Sequence, residues 1–199
     1  GFGALAVDDI VYVDRPLSAG KGKVTKRASD HGGNVATALV AAARLGGRTA
    51  FIGWLGDPPE ADVGGRELER EGVSTVFAPR HADAVPIRSV ITVGSDGERF
   101  IAYDDDVLHG TSSDLPDDVF AKAPVLRIDG YAVHSEAAVQ RARDLGLSIV
   151  ADIEWTIGPA SDRILSLADH LVLPIAFARS YLKQDDPAAL LKGLWTPNR

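Results

Sequence analysis

The stretch His31-Gly32-Gly33-Asn34-Val35-Ala36-Thr37-Ala38-Leu39-Val40-Ala41-Ala42-Ala43-Arg44-Leu45-Gly46 changes character at its fourth residue. Two glycines let the backbone approach a neighbour closely, and Asn34 suits a helix cap. The helix predicted to follow, Asn34 to Leu45, has an unusually small, alanine-rich face. Working outward, short β-branched runs read as buried strands: Leu5 to Val7, Thr49 to Ile52, Val125 to Ile128, Ser148 to Ala151 and Leu171 to Leu173. Helical patterns lie between them, at Ala61 to Glu71, Ser135 to Leu145, Ala160 to Leu167, Ile175 to Leu182 and Pro187 to Leu194. Strands alternating with helices imply parallel βαβ units and an α/β fold.

Two segments break the alternation. Ile10 to Ser29 is rich in Val, Thr and Lys, with Pro16 and Gly20 as punctuation, and reads as short strands. Ile87 to Tyr103 reads as a hairpin turning at Asp96-Gly97. Antiparallel strands inserted in an α/β chain make a flap or a small second sheet. No repeat and no linker divides the sequence, so residues 1–199 read as one domain with lid strands within about 10–30 and 87–104.

The 199 residues are 45% hydrophobic and 25% charged, with a net charge of −7. That balance, without a Lys/Arg run, argues against nucleic acid, whose phosphates reward clustered positive charge. The longest mostly apolar run, Val35 to Ala43, is far too short to span a bilayer. No basic segment with an apolar stretch behind it opens the chain, so no signal peptide is expected. The absence of cysteine excludes disulfides, thiolate metal sites and Cys nucleophiles, and fits a cytoplasmic chain. The chain also lacks methionine and opens on a strand already under way, which implies that the native start lies upstream.

Three features point to a ligand. Unpaired N–H groups at a helix start behind Gly32-Gly33 suit a polar or anionic group, although tight helix-on-sheet packing explains the same glycines and alanines. It is not a Walker A loop, since the lysine and Ser/Thr are absent. Asp8, read as closing the first strand, would sit at the carboxyl edge of the sheet, where α/β folds bind ligands. A carboxylate there accepts hydrogen bonds from neighbouring hydroxyls and suits a polyol, while a turn aspartate is the plainer alternative. The lid would close over both. Asp152 and Glu154 close a later strand and either could approach a phosphate or metal, against a capping or surface role. Asp129-Gly130-Tyr131 follows a strand and reads as pocket floor. Asp104-Asp105-Asp106 reads as a solvated loop without calcium-loop spacing. The five histidines show no i, i+4 ligand pair.

These residues carry a resemblance. The chain resembles the ribokinase-like (PfkB) carbohydrate kinases, whose first signature stands here as Gly32-Gly33-Asn34 through Ala43-Arg44-Leu45-Gly46. The strand ending Gly56-Asp57, the helix before Gly72-Val73 and the hairpin at Asp96-Gly97-Glu98-Arg99 match as well. The resemblance implies a three-layer α/β/α sandwich with a small β-lid. It also implies ATP-dependent phosphoryl transfer, with Mg2+, to a hydroxymethyl group of a sugar or nucleoside. The substrate-binding aspartate falls on Asp8 and the substrate-facing turn on Gly32, Gly33 and Asn34. Asn34 and Thr37 stand where ketohexokinase-like members present polar side chains. Lys21 lies on the lid segment where some members contact a polar or anionic substrate group, beside the plainer reading of a solvated lysine. Lys21, Arg88, Ile101 and Tyr103 are the lid residues that would shape the pocket. A homodimer through the lid sheet is an arrangement some relatives adopt.

Departures from the family are equally specific. Its Gly-Ala-Gly-Asp motif, which carries the catalytic base, occurs nowhere in this sequence, and the nucleotide site is built largely from the same later region. No catalytic residue is therefore assigned to this chain, which reads as the substrate-binding and lid portion of a kinase. The family's Asn-x-x-Glu motif is replaced by Leu173-Pro174-Ile175-Ala176-Phe177-Ala178, which leaves the metal ligands unassigned. A non-catalytic sugar- or nucleoside-binding relic is the alternative. A dinucleotide enzyme is disfavoured because no Gly-x-Gly-x-x-Gly follows the first strand.

Overall fold

Ala6, Val7 and Ile87 are buried at the start of their strands, whereas the far ends, Ile10 to Val13 and Ile91 to Val93, are only partly buried. That gradient describes strands leaving a core to form a projecting sheet. The computed structural model describes residues 1–156 and 158–195. Two compact units emerge, residues 4–109 and residues 1–3 together with those from 110 onward.

In the unit of residues 4–109, β1 (Ala6–Val13) pairs antiparallel with β2 (Val24–Gly32), bringing Ala6 opposite Gly32 and Asp8 opposite Asp30. α1 (Asn34–Arg44) follows and buries Val35, Ala36 and Leu39. Two short parallel pairs come next, β3 (Thr49–Ala50) with β5 (Val73–Ser74) and β4 (Leu55–Gly56) with β6 (Arg80–His81). Between them lies α2 (Val63–Arg70), whose N-cap Asp62 accepts from the Gly65 N–H at 3.0 Å. The nearly dry Asp62 carboxylate is matched by the Arg80 guanidinium at 3.3 Å, which also donates to the Gly56 carbonyl. A buried carboxylate needs such donors to offset its desolvation. Leu5, Val35, Ala36, Leu39, Phe51, Leu55, Leu68 and Val73 form the core beneath both helices.

β7 (Ile87–Val93) lies parallel to β1, with Asp8 opposite Ser89, and β8 (Arg99–Asp104) returns antiparallel on its outer side. The four-stranded order is β2-β1-β7-β8. The expected Asp96-Gly97 turn is present, with Gly97 at φ 84°. One expectation is corrected here: Asp8 does not close a strand. β1 runs on through Asp8, because its pairings with β2 and β7 both continue beyond it.

In the other unit, β9 (Val125–Asp129), β10 (Ser148–Asp152) and β11 (His170–Val172) form a parallel sheet in the order β11-β10-β9, and Phe2 bridges to Ile128. A short α3 (Asp117–Ala121), unforeseen in the sequence reading, precedes β9; α4 (Glu136–Asp144) and α5 (Gly158–Leu167) connect the strands. α6 (Ile175–Leu182) and α7 (Pro187–Leu194) follow. Phe2, Phe120, Ile128, Val139, Ile149 and Ile164 are among its fully buried apolar side chains. No helix among the described residues is long and apolar enough to cross a membrane.

Asp169 ties this sheet to α4, accepting from the Ile149 N–H at 2.7 Å and pairing with Arg143. Burial works to raise its pKa, but the Ile149 bond and the Arg143 charge outweigh it and hold the carboxyl below its ordinary 3.8. The stabilisation is therefore full above that value and fades as pH falls through and below it. Asp169→Asn is expected to cost about 1–3 kcal/mol at pH 7. The gap to the unaltered protein should shrink at pH 3, as urea melts at the two pH values will measure.

Candidate functional site

One face of the four-stranded sheet gathers polar groups around one carboxylate. Side chains alternate along a strand, so Asp8 shares a face with its partners Ser89 on β7 and Asp30 on β2. The Ser89 hydroxyl donates to Asp8 Oδ1. Ser89 is only 6% exposed, so this bond satisfies a buried donor. Gly32 stands beside the same carboxylate, and a Cβ there would collide with Asp8 Oδ2. The absence of a side chain at Gly32 thus leaves Oδ2 its space.

Gly33 is glycine for two reasons. Its φ of 98° lies where L side chains are strained, and a Cβ would run into the Ala4 carbonyl. That carbonyl accepts from the Ala36 N–H at 3.4 Å, anchoring the first turn of α1 to the chain entering β1. Gly33 itself is the N-cap, without a side-chain cap bond, and its carbonyl accepts from Thr37 N–H at 2.9 Å. Asn34 is therefore the first helical residue and not the cap, because the positive-φ turn has taken that position.

The remaining predicted residues are less closely grouped. Thr37 and Gly32 line an opening of about 250 Å³ between α1 and α2, together with His31, Glu67 and Arg70. Its charged walls are paired with one another: Arg44 with Glu71 at 2.7 Å, and Arg70 with both Glu67 and Glu71. The hydrogen bond from Arg44 holds the Glu71 carboxyl below its ordinary range. Lys21 is exposed in the connection between β1 and β2, beyond the Val13–Val24 pair. At roughly 3.3 Å per residue, the end of β1 lies some 16 Å along the strand from Asp8. The structure therefore does not bring Lys21 beside Asp8. Tyr103 and Ile101 share the Asp8 face through their pairings with Ser89 and Ile91, whereas Arg88, opposite Asp104, lies on the other face.

Ser89 was missed from sequence, although a serine alternating with Ile87 and Ile91 on a buried face is a legible signal. In the second unit, Asp152 is engaged by Arg127 at 2.7 Å, and Glu154 is exposed. Asp129 is fully buried and accepts from the Tyr131 N–H at 3.0 Å, so it belongs to the interior and is not open pocket floor. Magnesium was implied by the resemblance. Among the described residues, no group of three or more His, Asp or Glu comes together to hold a metal ion.

A family model described as pfkB family carbohydrate kinase matches residues 2–169. The chain belongs to that family. A protein of Agrobacterium tumefaciens assigned as a ribokinase superposes with a TM-score of 0.81 at 23% identity, over 96% of this pfkB chain and 63% of its own. Fructokinase with bound ATP from Xylella fastidiosa gives 0.73 at 23% identity, over 98% and 67%. Arabidopsis thaliana ribokinase complexed with ribose and ATP gives 0.74 at 16% identity, over 96% and 66%. These likenesses establish the ribokinase-like α/β fold. The pfkB chain described here spans less than two thirds of the length of the first of them.

The two glycines are expected to differ in what an added methyl group costs. Gly33→Ala meets backbone and a positive φ, and should destabilise the fold by more than about 1 kcal/mol. Gly32→Ala meets only the end of the Asp8 side chain, so thermal unfolding should change little.

Proposed function

We propose that this chain is the substrate-binding and lid part of a kinase that phosphorylates a hydroxymethyl group of a sugar at the expense of ATP. The observation that carries the reading is the Asp8 carboxylate, bonded by Ser89 on one oxygen and left clear by Gly32 on the other, on the inner face of a lid in a pfkB-family chain. A carboxylate accepts from two hydroxyls and so suits a polyol. Gly32, Gly33 and Asn34 form the turn against which the sugar would lie, and Thr37 supplies a further hydroxyl from α1. Lys21 reaches the substrate only if the lid folds over. ATP, with Mg2+, supplies the phosphoryl group when bound, and the base comes from outside these residues.

Within this reading residues 1–199 act as one incomplete domain, and the chain's own contribution is positional. Phosphoryl transfer depends on alignment and charge neutralisation more than on covalent chemistry. Asp8 orients the sugar, and closure of the sheet formed by β1, β2, β7 and β8 excludes water that would otherwise hydrolyse ATP. The outer face of that sheet exposes Phe100 at 64% and Val90 at 49%, which supports a homodimer through the lid. A cytoplasmic setting accords with the cysteine-free sequence. The sequence Leu173 to Ala178, without the family's Asn and Glu, favours a second reading in which the protein binds sugar or nucleoside without catalysis.

Asp8→Ala should abolish sugar binding, by at least about a hundred-fold, while the fold survives. Calorimetry with free sugars checks the affinity and circular dichroism the fold. Unchanged affinity would sink the role assigned to Asp8.

A further inference from the structure

Ser89 is a buried polar residue on the side of β7 that otherwise presents Ile87 and Ile91. A hydroxyl in that row costs stability unless it is bonded, so its partner is informative. That partner is Asp8, which lies directly opposite in the parallel pairing although the two residues are 81 positions apart in sequence.

We infer that Ser89 is a positioning residue for substrate recognition: its hydroxyl holds Asp8 Oδ1 so that Oδ2, in the space left by Gly32, is presented to the sugar. The inference rests on the reading of Asp8 as the sugar-binding carboxylate. An unrestrained aspartate on a half-exposed strand would lose rotational freedom each time it bound a diol, and affinity would fall accordingly. The bond from Ser89 places that ordering in the free protein. It also divides the two oxygens between distinct duties, one fixed by the protein and one open to the ligand. Gly32 and Ser89 flank the carboxylate from β2 and β7, and the bond that holds it comes from Ser89.

The isosteric pair Ser89→Thr and Ser89→Val tests this, because both suit a strand and differ chiefly in the hydroxyl. Calorimetry on the full-length protein would use a panel of free aldoses and ketoses, following whichever binds most tightly. Ser89→Thr is expected to stay within about three-fold of the unaltered affinity. Ser89→Val should bind roughly ten-fold or more weakly, with thermal unfolding confirming that both variants fold. A role in packing alone would give the two variants equal affinities, and that result overturns the inference. Asp8→Ala, run alongside, separates the levels. If it loses binding while Ser89→Val does not, only the positioning role falls. If it binds as before, or if no sugar in the panel binds the unaltered protein, the underlying reading of Asp8 falls and this inference with it.

Discussion

The carbonyl of Ala4 accepts the Ala36 N–H while Gly33 passes directly above it, too close for any side chain. This contact joins the entry of β1, the end of β2 and the first turn of α1 in a single backbone junction. With the junction in place, Ala6 must face Gly32, and the antiparallel register carries Asp8 to the position opposite Asp30. Gly32 then falls beside the Asp8 carboxylate, where only a hydrogen fits. The geometry of the proposed sugar face thus follows from one crowded turn whose own requirement is steric.

Burial around that junction is balanced locally. The apolar core under α1 and α2 is made of eight closely packed side chains, and the acidic groups that approach it are each supplied with donors. Asp62 has the Gly65 N–H and Arg80, and in the other unit Asp169 has the Ile149 N–H and Arg143. These partly buried pairs weigh more than the exposed ones, such as Lys122 with Asp118, since water and salt screen the latter. Polar groups are tolerated near the core where the backbone or a guanidinium meets them. Asp8 follows the same rule, with the Ser89 hydroxyl donating to one of its oxygens.

Much of the fold was legible in sequence because its signals are local. The alternation of β-branched runs with helical periods located the parallel sheet of β9, β10 and β11, and Asp96-Gly97 located the hairpin of β7 and β8. Gly32-Gly33 and Asp8 were read as a candidate site through their residue types and the family they resemble. Periodicity tells which face a residue occupies but not which strand lies beside it. It therefore could not show that β1 continues through Asp8, that Arg127 has claimed Asp152, or that Ser89 meets Asp8 across 81 residues. Asn34 was read as a cap because its side chain suits one, yet the cap is decided by the backbone at Gly33.

The pairing of β1 with β7 has a consequence in time. Their register closes a loop from Ala6 to Ile87, and such closure is slow because chain entropy is lost before the contacts repay it. The unit that contains both strands ends at His109, however. On a ribosome adding about 5–20 residues per second, residues 110–199 take roughly 5–20 s to follow. The sheet that carries Asp8 and Ser89 has that interval in which to zip together, with no competition from the strands of the second unit. Birth order along the chain then favours the sheet that carries Asp8 and Ser89 over the strands that follow it.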